Sequence, residues 1–288
     1  MASAAENLTS WSIGKVKITR VTEIEAIGGT RFILQQATPE EAQKIPWLVP
    51  RYATPEGKLR LNVQSWLVET PAQKIVVDTC IGNGKQGLGF KFWENLDTPY
   101  LEKLAAAGCP ADKIDMVICT HIHVDHVGWN TRLMNGAWVP TFRGARYKFG
   151  KTEYEHCGWP EANEHTRKIF AESVLPVVNN GQADMVASDA QLNDEISLIS
   201  SPGHSIGHMC VLIRSDGEEA VLIGDVAHHP CQMHHLGWSS KFDYDPVQSV
   251  ETRRRIFSRF ADTPTLVFGG HFDPGHIVRD GDAFRLID

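Results

Sequence analysis

Residues 120–130, Thr-His-Ile-His-Val-Asp-His-Val-Gly-Trp-Asn, bring His121, His123, Asp125 and His126 within six positions. Imidazole nitrogen and carboxylate oxygen are ligand types for divalent ions such as zinc. The cluster therefore reads either as part of a metal site or as a polar, histidine-rich surface loop. In an extended chain residues i and i+2 face the same way, so His121 and His123 can grip one ion from a strand end. Asp125 and His126, on the turn that follows, can reach a second. Four ligands leave the shells of two ions incomplete, so the metal reading demands more ligands from elsewhere. Three candidates each follow an apolar strand candidate and stand beside glycine, which permits close backbone approach. They are His204 in Ser-Pro-Gly-His-Ser, Asp225 in Leu-Ile-Gly-Asp and His271 in Val-Phe-Gly-Gly-His. A surface loop explains the first cluster but not this arrangement.

The series H-x-H-x-D-H, then Gly-His, Gly-Asp and a final Gly-His, resembles the ligand series of the metallo-β-lactamase superfamily over about residues 60–275. The resemblance implies an α/β fold, a four-layer αβ/βα sandwich of two mixed β-sheets flanked by helices. It also implies a division of ligands. His121, His123 and His204 would hold a first divalent ion and Asp125, His126 and His271 a second, with Asp225 bridging them and Asp78 bracing the ligand loop. Zinc is the first expectation, and manganese, cobalt and iron also suit such a shell. Two ions about 3.5–4 Å apart clamp a hydroxide and bring its pKa toward neutrality, which points to hydrolysis at a carbonyl or phosphoryl centre. The family's redox branches fit less well. Its diiron flavoproteins carry Glu where His123 stands, and its one-iron persulfide dioxygenases lack the second-ion set.

The stretch after Asp225, and the helix candidate that follows, resemble the branch of acyl-homoserine-lactone lactonases, related ester hydrolases and methyl-parathion-type organophosphate hydrolases. Several of those lactonases carry Tyr three residues after the bridging Asp, where this chain has His228. A histidine there can donate a hydrogen bond or a proton, and it titrates near neutrality, so Asp125, Asp225 and His228 are the catalytic candidates. Phe32, Trp47, Trp129, Trp238 and Phe242 offer an apolar rim. The expected reaction is cleavage of a carboxylic ester or lactone of a small hydrophobic substrate. The alternatives are an organophosphate triesterase and a catalytically silent ligand sensor on the same fold.

The elements that would carry these residues are legible in outline. Strand candidates lie at 15–27, 63–70, 74–79, 115–120, 146–150, 196–201, 209–214, 220–225 and 265–270, and helix candidates at 98–108, 151–157, 163–173 and 246–261. Thr98 is the expected N-cap of the first helix and Asp245 that of the last. Glycine-rich 81–91 lacks the Gly-Lys-Ser/Thr of a phosphate loop and reads as a flexible surface loop. Residues 32–60, irregular yet apolar, read as an arm, a lid or a homodimer contact on a single domain spanning 1–288. Among the other histidines, His208 reads as a hydrogen-bonded support, His234 and His235 as exposed or supporting, and His156 and His165 as surface residues.

With 288 residues, 42% hydrophobic content and a net charge of −7, the chain has a globular composition and no basic footprint for nucleic acid. The run Arg253-Arg254-Arg255 reads as a solvated helix face. The six cysteines form no C-x-x-C pair and fit a reducing compartment. No signal-peptide pattern and no membrane-spanning run stand out, so the expectation is a cytoplasmic protein with no membrane partner.

Overall fold

A computed structural model of the chain describes residues 8–28, 30–158 and 162–288. These residues group into two compact units. The first takes the chain up to Glu23 and Val63–Ala187, and the second takes Ile24–Asn62 and Ser188–Asp288.

The first unit is built on a seven-stranded mixed sheet in the order Ser10–Ile13, Val16–Ile27, Arg60–Glu69, Lys74–Val77, Met116–Cys119, Arg146–Gly150, Ala183–Val186. From Lys74–Val77 onward its neighbours run parallel. Ile75, Val76, Val77, Val117 and Ile118 are buried to 1% or less, as expected of near-continuous apolar strands covered on both faces. The parallel pairing Val77↔Ile118 ends where each strand meets its first polar residues, at Asp78 and Thr120. That is what puts Asp78 beside the start of the histidine cluster.

Two expectations are revised in this unit, and one element is added. The helix Tyr100–Ala106 has Pro99 at its N-cap position, with no side-chain cap. Thr98 Oγ1 donates instead to Glu23 Oε1 at 2.8 Å. Residues 81–91 are not a loose surface loop, since Ile81, Lys85 and Leu88 are buried. Buried Glu23 anchors the start of that stretch, accepting from the Ile81 and Gly82 N–H groups and from Trp129 Nε1. A hairpin, Thr131–Met134 with Ala137–Pro140, was not foreseen. Its turn is Asn135-Gly136, both at positive φ, the pair that a two-residue hairpin favours.

The second unit carries a four-stranded mixed sheet ordered Ile196–Ser200, Met209–Ser215, Glu218–Leu222, Leu266–Phe268. Residues 32–60 pack into its core. Leu34, Ala37, Ala42, Ile45, Leu48 and Tyr52 join Leu212, Val221, Ile223, Phe257 and Phe260 in one buried cluster, with Ile33 and Trp47 against it. The apolar content that suggested an arm or a lid serves this core. The helix Pro246–Phe260 starts as expected, its N-cap Asp245 accepting from the Val247 and Gln248 N–H groups at 3.0 Å. Arg254 and Arg255 face solvent, but Arg253 is wholly buried, so the solvated-face reading fails for the middle of the three. Among the described residues no helix is long and apolar enough to cross a membrane. All six cysteines are free and buried.

Candidate metal centre

In the first unit the strand Met116–Cys119 runs into Thr120, His121 and His123, then the short helix Val124–Val127 carrying Asp125 and His126. His121 and His126 are buried to 1% and 2%, while His123 and Asp125 are partly exposed. The His121 ring lies 4.5 Å from that of His123 and 4.1 Å from that of His126. Asp78, at φ 56°, a left-handed conformation that Asp tolerates better than most residues, organises the group. Its carboxylate accepts from Thr120 N–H and Thr120 Oγ1 at 2.8 Å, and from His126 Nδ1 at 2.8 Å. Because the Thr120 hydroxyl proton goes to Asp78, Thr120 Oγ1 is the acceptor for His121 Nδ1–H at 3.1 Å. Glu153, also buried, accepts from Ile122 N–H at 3.1 Å and so fixes the backbone between the first two histidines. Gly128 cannot be otherwise, since a Cβ there would sit 1.8 Å from the Ile81 carbonyl oxygen.

In the second unit Asp225 follows the strand Glu218–Leu222, and three imidazoles point at its carboxylate. His204 Nε2 lies 3.4 Å and His228 Nε2 3.2 Å from Oδ2, and His271 Nε2 lies 3.2 Å from Oδ1. His204 Nδ1 donates to Asp243 Oδ1 at 2.8 Å, and His271 Nδ1 donates to the Asn62 carbonyl at 2.8 Å. His208 is the support expected of it. Its Nδ1 pairs with Ser201 Oγ at 2.7 Å, and its Nε2 accepts the Asp225 N–H at 3.0 Å. A Cβ on Gly270 would come 2.7 Å from Asp225 Oδ1, so glycine before His271 is what lets the Asp225 and His271 turns approach.

His228 differs from the other histidines. Its Nε2 faces Asp225, and its buried Nδ1 has no hydrogen-bond partner among the described residues. Burial holds its pKa below the ordinary histidine value, against the opposing pull of Asp225. Burial pushes Asp243 up, but the hydrogen bond from His204, with His204, His228 and Arg253 close by, leaves it below the usual carboxylate range.

The donor set suits a divalent ion. In His121, His126, His204 and His271 the Nδ1–H is committed to an oxygen, which leaves the Nε2 lone pair as the ligand atom, the arrangement that metal-bound histidines adopt. For His204 and His271, an Nε2 lone pair 3.2–3.4 Å from carboxylate oxygen is repulsive unless a proton or a cation lies between. Two ligands on one tetrahedral zinc, with bonds of about 2.0–2.1 Å, stand about 3.3 Å apart.

The sequence did not flag Asp243, Glu153, Glu23 or Arg253. Glu23, Glu153 and Asp243 are acidic residues in unremarkable stretches and Arg253 reads as part of a solvated basic run, so only burial marks them out. Of the aromatic residues expected at a rim, Trp129 is core, stacked on Tyr100. Phe32 and Phe242 pair at 5.5 Å with Lys241 Nζ 3.6 Å over the Phe32 ring, and Trp238 stacks on His235 at 4.1 Å. His156 and His165 are partly buried rather than fully exposed, and the His165 ring packs edge-on against Phe90.

The family model described as the metallo-beta-lactamase superfamily matches residues 59–271. An N-acyl homoserine lactonase of Bacillus thuringiensis is 27% identical over 236 residues, 76% of this chain and 84% of that protein. The N-acyl homoserine lactonase AttM of Rhizobium johnstonii is 28% identical over 195 residues, 64% of this chain and 68% of the relative. Among solved structures, AidC, described as a dizinc quorum-quenching lactonase, superposes with TM-score 0.79 at 19% identity over 99% of this chain and 98% of its own. The hydrolase AbOPH gives TM-score 0.78 at 20% identity over 97% and 96%. With this match over most of its length and the α/β architecture described above, the chain belongs to the metallo-beta-lactamase superfamily.

Proposed function

We propose that this chain, a metal-dependent hydrolase by family, cleaves a carboxylic ester or lactone of a neutral, hydrophobic substrate. Two divalent ions, zinc in the first instance, would be held by His121, His123, Asp125, His126, His204, Asp225 and His271. The observation that carries the reading is the common orientation of four of these imidazoles, each with Nδ1–H anchored on an oxygen and Nε2 left for an ion. When bound, the ions supply a Lewis acid and activate water at neutral pH.

The protein's own residues do the positioning. Asp225 would supply negative charge to offset the repulsion between two dications held by these residues. Asp78 and Glu153 fix the His121–His126 segment, and His208 fixes the backbone of Asp225. His228 brings Nε2 to 3.2 Å from Asp225 Oδ2, which supports a role in holding that carboxylate. The N-acyl homoserine lactonase relatives favour a lactone among the esters.

The test is metal analysis joined to a hydrolysis screen of the metal-loaded protein across lactones, aryl esters, organophosphate triesters and β-lactams. Near two equivalents of metal and turnover of lactones or aryl esters are expected. Turnover confined to phosphotriesters or β-lactams, or no retained metal, would overturn the reading.

A further inference from the structure

The His204 side of the site rests on a buried charge arrangement that the ligand series does not contain. The loop between the helices Cys231–His234 and Pro246–Phe260 lies along His204. Tyr244 N–H donates to the His204 carbonyl at 2.9 Å, and Asp245 N–H donates to the Gly203 carbonyl at 2.9 Å. The same loop supplies Asp243, whose side chain is fully buried. One of its oxygens accepts from His204 Nδ1 at 2.8 Å, and the other accepts from Ser240 N–H at 3.0 Å.

Behind Asp243 stands Arg253, with Nη2 4.0 Å from Asp243 Oδ2. The guanidinium spreads its donors over three segments. Nε reaches the Val226 carbonyl at 2.9 Å, Nη1 reaches the carbonyls of Leu236 and Trp238 at 2.6 and 3.0 Å, and Nη2 reaches Ser249 Oγ at 3.2 Å. Val226 is the residue after Asp225. One buried cation thus ties the turn that carries Asp225 to the loop that carries Asp243.

We infer that Asp243 and Arg253 are positioning residues that set the metal affinity of this protein through the ring of His204. The inference rests on the metal-site reading above. Asp243 fixes the ring's rotation and its tautomer and makes Nε2 a better donor, as carboxylates behind metal-bound histidines do. Arg253, bonded to the Val226 carbonyl and to the carbonyls of Leu236 and Trp238, keeps the Asp225 turn in register with the loop that carries Asp243. A lysine cannot replace it, because a single ammonium lacks the planar fork that serves several acceptors at once.

The test has two readouts. In the metal-free protein, NMR should show the His204 Nδ1–H as an exchange-protected signal, lost in Asp243→Ala. In competition with a chromophoric chelator for zinc, Asp243→Ala and the isosteric Asp243→Asn should bind zinc about 10–100-fold more weakly than wild type, and Arg253→Lys should weaken it within the same range. His204→Ala serves as the reference, and a cooperative thermal transition confirms that each variant is folded. Should the alanine variant fail to fold, Asp243→Asn and Arg253→Lys carry the test. Wild-type zinc affinity in the folded Asp243 variants, with His204→Ala weakened, would overturn the inference and leave the metal site standing. A wild-type protein that binds zinc no better than His204→Ala would overturn the metal reading, and the inference with it.

Discussion

At the scale of single residues, the site is decided by what lies behind each imidazole rather than by the imidazole itself. His228 shows this best. It occupies the position where the lactonase resemblance expects tyrosine, and chain position alone leaves its role open between proton donor and loop support. The structure puts its Nε2 3.2 Å from Asp225 Oδ2, as near as the Nε2 of His271 is to that carboxylate. His228→Phe, which keeps the ring bulk and removes the donor, is expected to weaken metal binding about tenfold, read by chelator competition, with activity restored by excess metal. A fall in kcat at full metal occupancy would instead place the His228 proton on the substrate.

Lys85 makes a different residue-scale prediction. It is buried, with Nζ 3.3 Å from Thr131 Oγ1 and 3.8 Å over the Trp138 ring. Burial brings its pKa from 10.5 down to about 7, against the opposing attraction of Glu172. The unfolded chain then binds more protons than the folded one between those two values, so stability rises as pH climbs through that window. Below pH 7 the cost is fully present. Lys85→Met should therefore raise stability at neutral pH by about 1–3 kcal/mol, with the gain shrinking toward pH 10.5. Denaturant melts at several pH values check it, and a gain independent of pH would refute the titration.

At the scale of elements, most strands and helices were legible because their signals are local. Apolar β-branched runs mark Lys74–Val77 and Met116–Cys119, and Asp245-Pro246 marks the start of the last helix. Asp245→Ala is expected to cost about 1 kcal/mol, seen as a lower unfolding midpoint. An unchanged midpoint would mean that tertiary packing alone holds that end. The seven ligand candidates could be read because each follows a strand, where an apolar run breaks abruptly. What could not be read depends on distant partners. Thr98 looks like a helix cap, yet its hydroxyl serves Glu23, 75 positions away. Arg253 sits in a basic run that looks solvated, yet three of its acceptors are carbonyls 15 to 27 positions earlier. The hairpins at 131–140 and 276–287 did have a signal, in the turn pairs Asn135-Gly136 and Gly281-Asp282, which apolar periodicity alone passes over.

At the scale of the whole molecule, neither compact unit is continuous in sequence. The second takes its core in part from 32–60, so deleting that segment should abolish cooperative folding of the second unit rather than adjust substrate preference. Calorimetry of the deleted protein checks this, and an intact transition would show that the segment is dispensable. The same interleaving has a consequence for synthesis. Leu34, Ile45 and Leu48 leave the ribosome more than a hundred residues ahead of Leu212, Val221 and Phe257, the side chains they finally meet. At about 5–20 residues per second, that greasy stretch waits many seconds with nothing of its own to rest against. It is where a nascent chain of this protein is most exposed to chaperones, to proteases and to its neighbours on the same messenger.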